Sequence, residues 1–213
     1  MSLTFFNILA STRLYAITDR PLSSLSHAEQ VTQLSAGGAT LIQLREKLLS
    51  PREFYNEAKA ALQVARERGV KIIVNDRVDI ALALKADGVH LGQDDLPPRA
   101  ARRILGPDVI IGFSTHNREQ AVLAAKMPVD YLAIGPIFAT STKQSSDPTI
   151  GIDGLRLVRQ AVGTIPLVAI GGITFENSET VLSAGADAVA VIRDIWIPPG
   201  QAKTLTRRFL QRA

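Results

Sequence analysis

Polar side chains occupy alternate positions at the end of an apolar run near residue 44. Gln43, Arg45 and Lys47 alternate there with Leu44 and Glu46. In an extended strand, alternate side chains point to the same side, so an amide and two cations would face a common volume. Arginine binds phosphate oxygens through paired hydrogen bonds, and lysine binds them as a point charge. The run fits a diphosphate clamp, and by itself it fits equally well a solvated strand end in which Glu46 neutralises a neighbour.

Amide and carboxylate side chains follow the next two apolar runs. Asn75 and Asp76 come directly after one run, and Asp94 and Asp95 come shortly after the other. Carboxylates at the ends of neighbouring strands suit Mg²⁺, which takes few protein oxygens and shares its other positions with water and phosphate. Asp76 and Asp95 are therefore the candidate metal ligands, and Asp94 could replace Asp95 or face solvent. Helix capping is the structural alternative for either candidate, because Asp95 lies just ahead of Pro97.

Hydroxyl groups and glycines follow three later apolar runs. Ser114 could donate a hydrogen bond to a phosphate or to a heterocyclic substrate. A long polar loop then offers hydroxyls, backbone amides and a cation from Thr140, Ser141, Thr142 and Lys143. Long loops in an economical domain commonly act as lids over a bound substrate. Farther along, Gly171 and Gly172 would let a phosphate approach backbone N–H groups, although a helix-packing role for one glycine is also consistent.

The histidines and the absence of cysteine limit the chemistry that the side chains can perform. His116 permits a general-base role, but the order of the chain indicates no Ser-His-Asp triad, so a structural histidine is favoured. His27 is expected on a surface helix and His90 within a strand. Because the chain has no cysteine, disulfides, thiolate metal sites and cysteine nucleophiles are excluded.

Eight short apolar runs, each followed by a segment of helical periodicity, must position these side chains. The predicted strands are Leu14–Thr18, Thr40–Leu44, Lys71–Val74, Gly88–Leu91, Val109–Gly112, Tyr131–Ile134, Pro166–Ile170 and Ala188–Ile192. Ser50 followed by Pro51 predicts the start of a helix that runs to about Arg68 and stops at Gly69. The repeated unit favours a single domain over residues 1–213, an α/β fold of the (β/α)₈ TIM barrel type. A doubly wound open sheet has the same pattern and is the less favoured alternative.

Composition and charge are those of an enzyme with small anionic substrates. The chain of 213 residues has a net charge of +4 and a pI near 9.6, yet only 5% of its residues are aromatic. Its basic residues are mostly scattered, so nucleic acid is not an expected partner. No stretch approaches the roughly 18 apolar residues of a membrane span, and the N-terminus lacks a signal-peptide pattern. We expect a cytoplasmic protein with no membrane partner.

Six segments together resemble one enzyme family in their order and content. They are LYAITDR at 14–20, IQLREK at 42–47, VNDRVDIALALKADGVHLGQDDLP at 74–97, IGFSTHN at 111–117, YLAIGPIFATSTK at 131–143 and VAIGGI at 168–173. From about Leu14 to Ile195 the chain closely resembles thiamine-phosphate synthase, also called thiamine phosphate pyrophosphorylase. The resemblance implies a (β/α)₈ barrel that joins an aminopyrimidine methyl diphosphate to a thiazole phosphate and releases thiamine phosphate and diphosphate.

The resemblance also implies a role for each matching residue. The pyrimidine diphosphate would be bound by Gln43, Arg45, Lys47, Asn75, Ser114 and Lys143. Of these, the candidate catalytic residues are Arg45, Lys47, Lys143 and Ser114. The thiazole phosphate would be bound by Thr140, Ser141, Thr142, Gly172 and Ile192. Mg²⁺ is the implied cofactor, with Asp76 and Asp95 as its ligands; small-molecule substrates are the expected partners, and the sequence allows a homo-oligomer.

One position departs from the family pattern. The family usually has a serine after the aliphatic residue that ends the eighth strand, whereas this chain has Arg193. Arginine could itself bind the thiazole phosphate, because its guanidinium matches phosphate oxygens. Alternatively, Arg193 could turn outward and pair with Asp194.

Other functions are consistent with parts of the pattern. A related barrel that tautomerises the thiazole carboxylate phosphate tends to lose the metal-binding and diphosphate-binding residues, which are present here. A sugar-phosphate isomerase would need a matched acid–base pair, and none is evident. A thiamine-pathway sensor or a nucleic-acid binder would bind without turnover, with a steep salt dependence in the case of nucleic acid. The sequence favours the synthase over all of these.

Overall fold

A computed structural model describes residues 9, 12–140 and 148–212 of the chain. Within these ranges, eight parallel strands close into a barrel in sequence order, with the first strand paired to the eighth. The strands are β1 (Leu14–Ile17), β2 (Leu41–Leu44), β3 (Lys71–Asn75), β4 (Gly88–Leu91), β5 (Ile110–Thr115), β6 (Tyr131–Ile134), β7 (Leu167–Ile170) and β8 (Ala188–Val191). Each predicted strand is present, and the closed barrel is confirmed over the open sheet.

Helices in the described ranges follow the strands and surround the barrel. They are α1 (Arg20–Ser23), α2 (His27–Ala36), α3 (Pro51–Arg68), α4 (Val78–Leu84), α5 (Pro98–Leu105), α6 (Arg118–Ala124), α7 (Gly151–Val162), α8 (Phe175–Ser183), α9 (Arg193–Trp196) and α10 (Ala202–Arg212). Among these described helices, none combines the length and the apolar character needed to cross a membrane.

Local sequence signals set the bounds of the longest helix, α3. The Ser50 hydroxyl accepts the Glu53 backbone N–H at 3.4 Å, and the Glu53 carboxylate accepts the Ser50 N–H at 2.9 Å. This reciprocal capping box satisfies two backbone donors that a helix start leaves without partners. At the other end, Gly69 adopts φ 67° and closes the helix, a conformation that costs glycine little. Both predicted ends of this helix are confirmed.

Strand side chains alternate between two apolar layers. One layer fills the barrel and includes Tyr15, Ile17, Ile73 and Tyr131. The other lies between the barrel and its helices and includes the intervening strand residues Leu14 and Ala16. Burial on both faces explains why the strands read as nearly continuous apolar runs.

Strand β5 extends beyond its predicted end at Gly112 and reaches Thr115. A Cβ atom at Gly112 would lie 2.0 Å from Cζ of Tyr131, so the glycine leaves room for that ring inside the barrel. The register pairs His90 of β4 with Gly112 and pairs Gly112 with Tyr131 of β6. Gly112 is therefore an interior strand residue, and the extra residues bring Ser114 to the carboxyl end of the barrel.

Candidate active site

A cavity of about 1080 Å³ opens at the carboxyl ends of the barrel strands. Among its lining residues are all the predicted site residues that the structure describes, namely Gln43, Arg45, Lys47, Asn75, Asp76, Asp95, Ser114, Thr140, Gly172, Ile192 and Arg193. They come from strand ends and loops all around the barrel, as the topology requires. The predicted residues Ser141, Thr142 and Lys143 lie outside the described ranges.

Asp76 and Asp95 form an acidic pair next to Lys47. The Lys47 ammonium lies 2.5 Å from a carboxylate oxygen of Asp76, and Asp76 itself has a positive φ of 62°. Burial raises the pKa of Asp76; Lys47 opposes this shift, whereas the charge and hydrogen bonding of Asp95 add to it. A positive φ is uncommon for a residue other than glycine, although aspartate tolerates it better than most residues. The two carboxylates therefore share a volume in which their negative charge is not fully compensated.

The capping alternative for these two aspartates is not observed. The Asp95 carboxylate accepts the Gly92 backbone N–H at 2.6 Å, inside its own loop. Helix α4 begins after Arg77 and α5 begins after Pro97, and neither has a side-chain cap. The donor set of two carboxylates fits Mg²⁺, a hard cation that completes its shell with water and phosphate oxygens. No cluster of three or more His, Cys, Asp or Glu side chains that could hold a metal occurs in the described part of the chain.

Asp19 orients Arg45, a contact that sequence analysis missed. A guanidinium N–H of Arg45 donates to Asp19 at 3.0 Å, and the other Asp19 oxygen accepts the Leu22 backbone N–H at 3.0 Å. Asp19 is buried, so this carboxylate is fixed from both sides. The sequence contained a signal for this role, because Asp19 lies two residues after β1, much as Asp76 lies directly after β3.

Glu46 organises the loop that carries Lys47 and does not simply neutralise a neighbour. One of its oxygens accepts the backbone N–H groups of Lys47, Leu48 and Leu49 at 2.8, 2.7 and 3.2 Å. Burial alone would raise the pKa of Glu46, but these backbone donors together with His27 hold it below its ordinary value. The carboxylate therefore stays ionised and keeps the loop in shape.

His27 is not on the surface, which corrects the expectation from sequence. Its side chain is 0% exposed; its Nδ1 lies 2.9 Å from the Thr18 hydroxyl and its Nε2 lies 3.4 Å from Glu46. Burial lowers the pKa of His27, although the Glu46 charge opposes the shift. Position alone misled here, because His27 is the first residue of α2 and turns inward beneath the Glu46 loop.

His116 is held by the backbone, as expected for a structural histidine. Its Nδ1 lies 2.7 Å from the Gly135 carbonyl oxygen, and its backbone N–H donates to the Gln120 side chain at 2.7 Å. His90 lies within β4, also as predicted. Its ring reaches the cavity floor, with Nε2 2.8 Å from the Ser114 hydroxyl.

The opposite rim of the cavity carries the glycine pair and Arg193. Gly172 has φ 63°, and a Cβ atom there would lie 2.6 Å from the Ala139 carbonyl oxygen, so the loops after β6 and β7 pack closely. Asp194 accepts the Phe175 backbone N–H at 2.8 Å and does not pair with Arg193. Within the described residues, the exposed Arg193 guanidinium has no ion pair, so the outward-pairing alternative is not observed.

Comparisons with known proteins show the family to which this chain belongs. The family model for thiamine monophosphate synthase matches residues 14–195. Thiamine-phosphate synthase of Koribacter versatilis is 50% identical over 206 residues, covering 93% of this chain and 94% of that protein. The Clostridium novyi enzyme of the same name is 48% identical over 184 residues, covering 86% and 90%. A solved structure of thiamine phosphate pyrophosphorylase from Pyrococcus furiosus is 39% identical, with a TM-score of 0.87 and 97% of each chain covered. This chain therefore belongs to the thiamine monophosphate synthase family, whose members are transferases.

Proposed function

We propose that this chain couples 4-amino-2-methyl-5-(diphosphooxymethyl)pyrimidine with 4-methyl-5-(2-phosphooxyethyl)thiazole to give thiamine phosphate and diphosphate. The observation that carries the proposal is the half-buried acidic pair, Asp76 and Asp95, whose Asp76 member contacts Lys47 at the carboxyl end of the barrel. Such a site suits a cation together with a diphosphate. The family membership supports the same assignment, and a tautomerase is less favoured because it would not need these residues.

The proposed reaction requires no nucleophile from the protein. The bond between the methylene carbon and the diphosphate oxygen breaks, and its electron pair leaves on the diphosphate. The electron-rich aminopyrimidine stabilises the positive charge that develops on the methylene carbon. The thiazole nitrogen then donates its lone pair to that carbon, so the protein has only to hold the two substrates in line.

The basic residues of the cavity stabilise the departing diphosphate. Arg45 and Lys47 supply fixed positive charge where negative charge grows, which lowers the barrier without reorganisation. Lys143 is assigned the same role by the family resemblance. Asp76 and Asp95 would hold Mg²⁺, which would neutralise diphosphate oxygens when it is bound. Asp19 and Glu46 keep Arg45 and Lys47 in place through the contacts described above.

The opposite rim would bind the thiazole phosphate through Thr140, Ser141, Thr142, Gly172 and Ile192. We propose that Arg193 adds a charged contact to that phosphate in place of the family serine. Arg193→Ser should then raise the KM for the thiazole phosphate roughly tenfold, the size of one charge-assisted hydrogen bond. The KM for the pyrimidine diphosphate should not change. An unchanged thiazole KM would remove Arg193 from the phosphate site.

A coupling assay tests the proposed function directly. The purified chain would be incubated with both substrates, with and without Mg²⁺, and thiamine phosphate would be detected by mass. Asp76→Asn removes a candidate ligand, and Asp79→Asn is the matched control, because Asp79 is exposed and pairs with Arg77. Metal-dependent product from wild type and Asp79→Asn, with little from Asp76→Asn, is expected. Folded wild-type protein that yields no product would contradict the proposal, and product at equal rate without metal would contradict its metal requirement.

A further inference from the structure

A continuous chain of hydrogen bonds, buried except at its Ser114 end, crosses the cavity floor between Gln43 and Ser114. The Gln43 amide N–H donates to the Tyr15 hydroxyl at 3.1 Å, and the Tyr15 and Tyr131 hydroxyls lie 3.0 Å apart. Tyr131 lies 2.9 Å from Nδ1 of His90, and Nε2 of His90 lies 2.8 Å from the Ser114 hydroxyl. Tyr15 and Tyr131 are 1% and 0% exposed, so water cannot replace these partners.

The direction of the hydrogen bonds follows from Tyr15. Its hydroxyl has two partners, Gln43 and Tyr131, and the Gln43 amide nitrogen can only donate. The Tyr15 proton must therefore point to Tyr131, because the reverse order would leave a fully buried hydroxyl proton without an acceptor. Burial also raises the pKa of both tyrosines, which keeps their protons in place.

The remaining hydrogen bonds follow the same direction as far as Ser114. With the Tyr15 proton directed to Tyr131, the Tyr131 proton faces Nδ1 of His90, which lies 2.9 Å from the hydroxyl oxygen. A neutral imidazole that accepts at Nδ1 carries its proton at Nε2, so His90 donates to Ser114. The Ser114 hydroxyl has His90 as its partner, and its own proton is then available to the cavity. At the near end, the Gln43 amide nitrogen is engaged by Tyr15, so its carbonyl oxygen is available to the cavity.

We infer that Tyr15, Tyr131 and His90 are positioning residues that make Gln43 an acceptor and Ser114 a donor toward a bound heterocycle. This inference rests on the proposed function for the identity of that heterocycle. The pattern fits a ring with an exocyclic N–H donor and a ring-nitrogen acceptor, as in a 4-aminopyrimidine. A 4-oxo analogue presents a carbonyl oxygen in place of the amine. The Gln43 carbonyl oxygen would then face a second acceptor, and no hydrogen bond could form between them.

The tautomer of His90 in the free protein tests the direction of these hydrogen bonds without any substrate. The full chain would be labelled with ¹⁵N-histidine, and His90 would be assigned by the signal that is lost in His90→Gln. The ring ¹⁵N shifts distinguish the two neutral tautomers, and we expect the proton on Nε2. A proton on Nδ1, in either the neutral or the doubly protonated ring, overturns the proposed direction whether or not the chain has coupling activity.

Binding of paired substrates tests the consequence. Calorimetry with Mg²⁺ would compare the 4-aminopyrimidine diphosphate with its 4-oxo analogue. We expect wild type to prefer the amino compound, and Tyr15→Phe and Tyr131→Phe to reduce that preference roughly tenfold, the value of one hydrogen bond. In Tyr15→Phe the Gln43 amide is free to rotate, and in Tyr131→Phe the tautomer of His90 is no longer imposed.

Tyr55→Phe is the matched control, because Tyr55 lies on α3 away from the cavity, and it should keep the wild-type preference. Tyrosine variants that retain the full preference of wild type overturn the positioning role. A wild-type chain that binds neither compound overturns the assignment of the heterocycle and with it the proposed function. The His90 tautomer then still tests the direction of the hydrogen bonds by itself, so the two failures are distinguishable.

Discussion

At the amino end of the barrel, an aspartate repeats before alternate strands and is paired each time with a basic side chain. At the carboxyl end, acidic and basic side chains line a cavity. Three aspartates stand directly before β4, β6 and β8, and these are Asp87, Asp130 and Asp187. Each accepts a backbone N–H at the start of the preceding strand, at 2.9, 2.8 and 2.7 Å, from Ile72, Ile111 and Leu167. Each also pairs with a basic side chain, from Lys71, Arg102 and Arg159. These contacts tie neighbouring strands together.

The carboxyl end carries the same residue types, but their charges are less fully compensated by neighbours. Asp76 has a positive φ and a pKa that burial raises, and Asp95 lies close enough to add to that shift. Arg193 lies on the cavity rim with no ion pair within the described residues. Asp76 pairs with Lys47 and Asp19 pairs with Arg45, but among the residues that the structure describes Asp95 and Arg193 leave uncompensated charge around a volume that suits phosphates and a cation.

The difference shows where this fold places stability and where it places function. Carboxylates that satisfy strand N–H groups lower the free energy of the folded state. Carboxylates that crowd each other raise it, and they are expected where a ligand supplies the missing charge. Substitution of an aspartate at each end should therefore separate activity from stability.

Asp76→Asn should give the largest effect, on activity. Loss of one candidate metal ligand should lower the coupling rate about 100-fold or more, the range seen when one group that stabilises transition-state charge is removed. Stability without metal should rise by about 0.5 to 1 kcal/mol. The raised pKa means that folding disfavours the ionised form, so at neutral pH an uncharged amide removes that penalty. Asparagine also tolerates positive φ. Coupling rates and urea unfolding measure the two effects, and a marked loss of stability would contradict this account of the carboxyl end.

Asp187→Ala should produce the opposite result. The substitution leaves the Leu167 N–H without its acceptor and removes the carboxylate that pairs with Arg159, which should cost about 2 to 3 kcal/mol of unfolding free energy. The coupling rate at a temperature where the variant is folded should stay close to wild type. Asp153→Ala is the matched control, because Asp153 is 93% exposed and its pair with Arg156 should contribute little. A variant that loses activity while keeping its stability would show that the amino end also shapes the site.

The barrel and most of the described candidate site were predictable because both follow from local pattern. Apolar runs separated by helical periodicity specify the strands, and the topology then brings every strand end to one face. Asp76, which directly follows β3, and Asp95, in the loop after β4, were proposed as site residues by that rule. The roles assigned to them stay predictions until the coupling assay is done.

The tyrosines that act from inside the barrel were missed. Tyr15 and Tyr131 read as ordinary apolar strand positions, because their hydroxyl partners are distant in sequence and depend on the barrel register. Gly112 was taken for a strand end, since only the tertiary structure reveals the ring that fills its place. Long-range hydrogen bonds of this kind leave no periodic signal in the sequence.

His27 offers a smaller test of the carboxyl end, through pH. It is buried beside Glu46, under the loop that carries Lys47, and burial lowers its pKa. The unfolded chain has the ordinary histidine value of 6.5, so just below that pH the unfolded state binds more protons than the folded state. The contribution of His27 to stability is therefore complete above about pH 6.5 and is lost as the pH falls toward the lowered folded value.

His27→Gln should flatten that dependence, because glutamine does not titrate. Urea unfolding at a series of pH values from about 5 to about 7.5 would measure the slope of unfolding free energy against pH for wild type and variant. His116→Gln is the control, because His116 lies on a different strand end and should leave the contribution of His27 intact. Parallel curves for wild type and His27→Gln would mean that this histidine does not link the Lys47 loop to pH. A flatter curve for His27→Gln alone would place the pH sensitivity under that loop, at the end of the barrel where charge is least compensated.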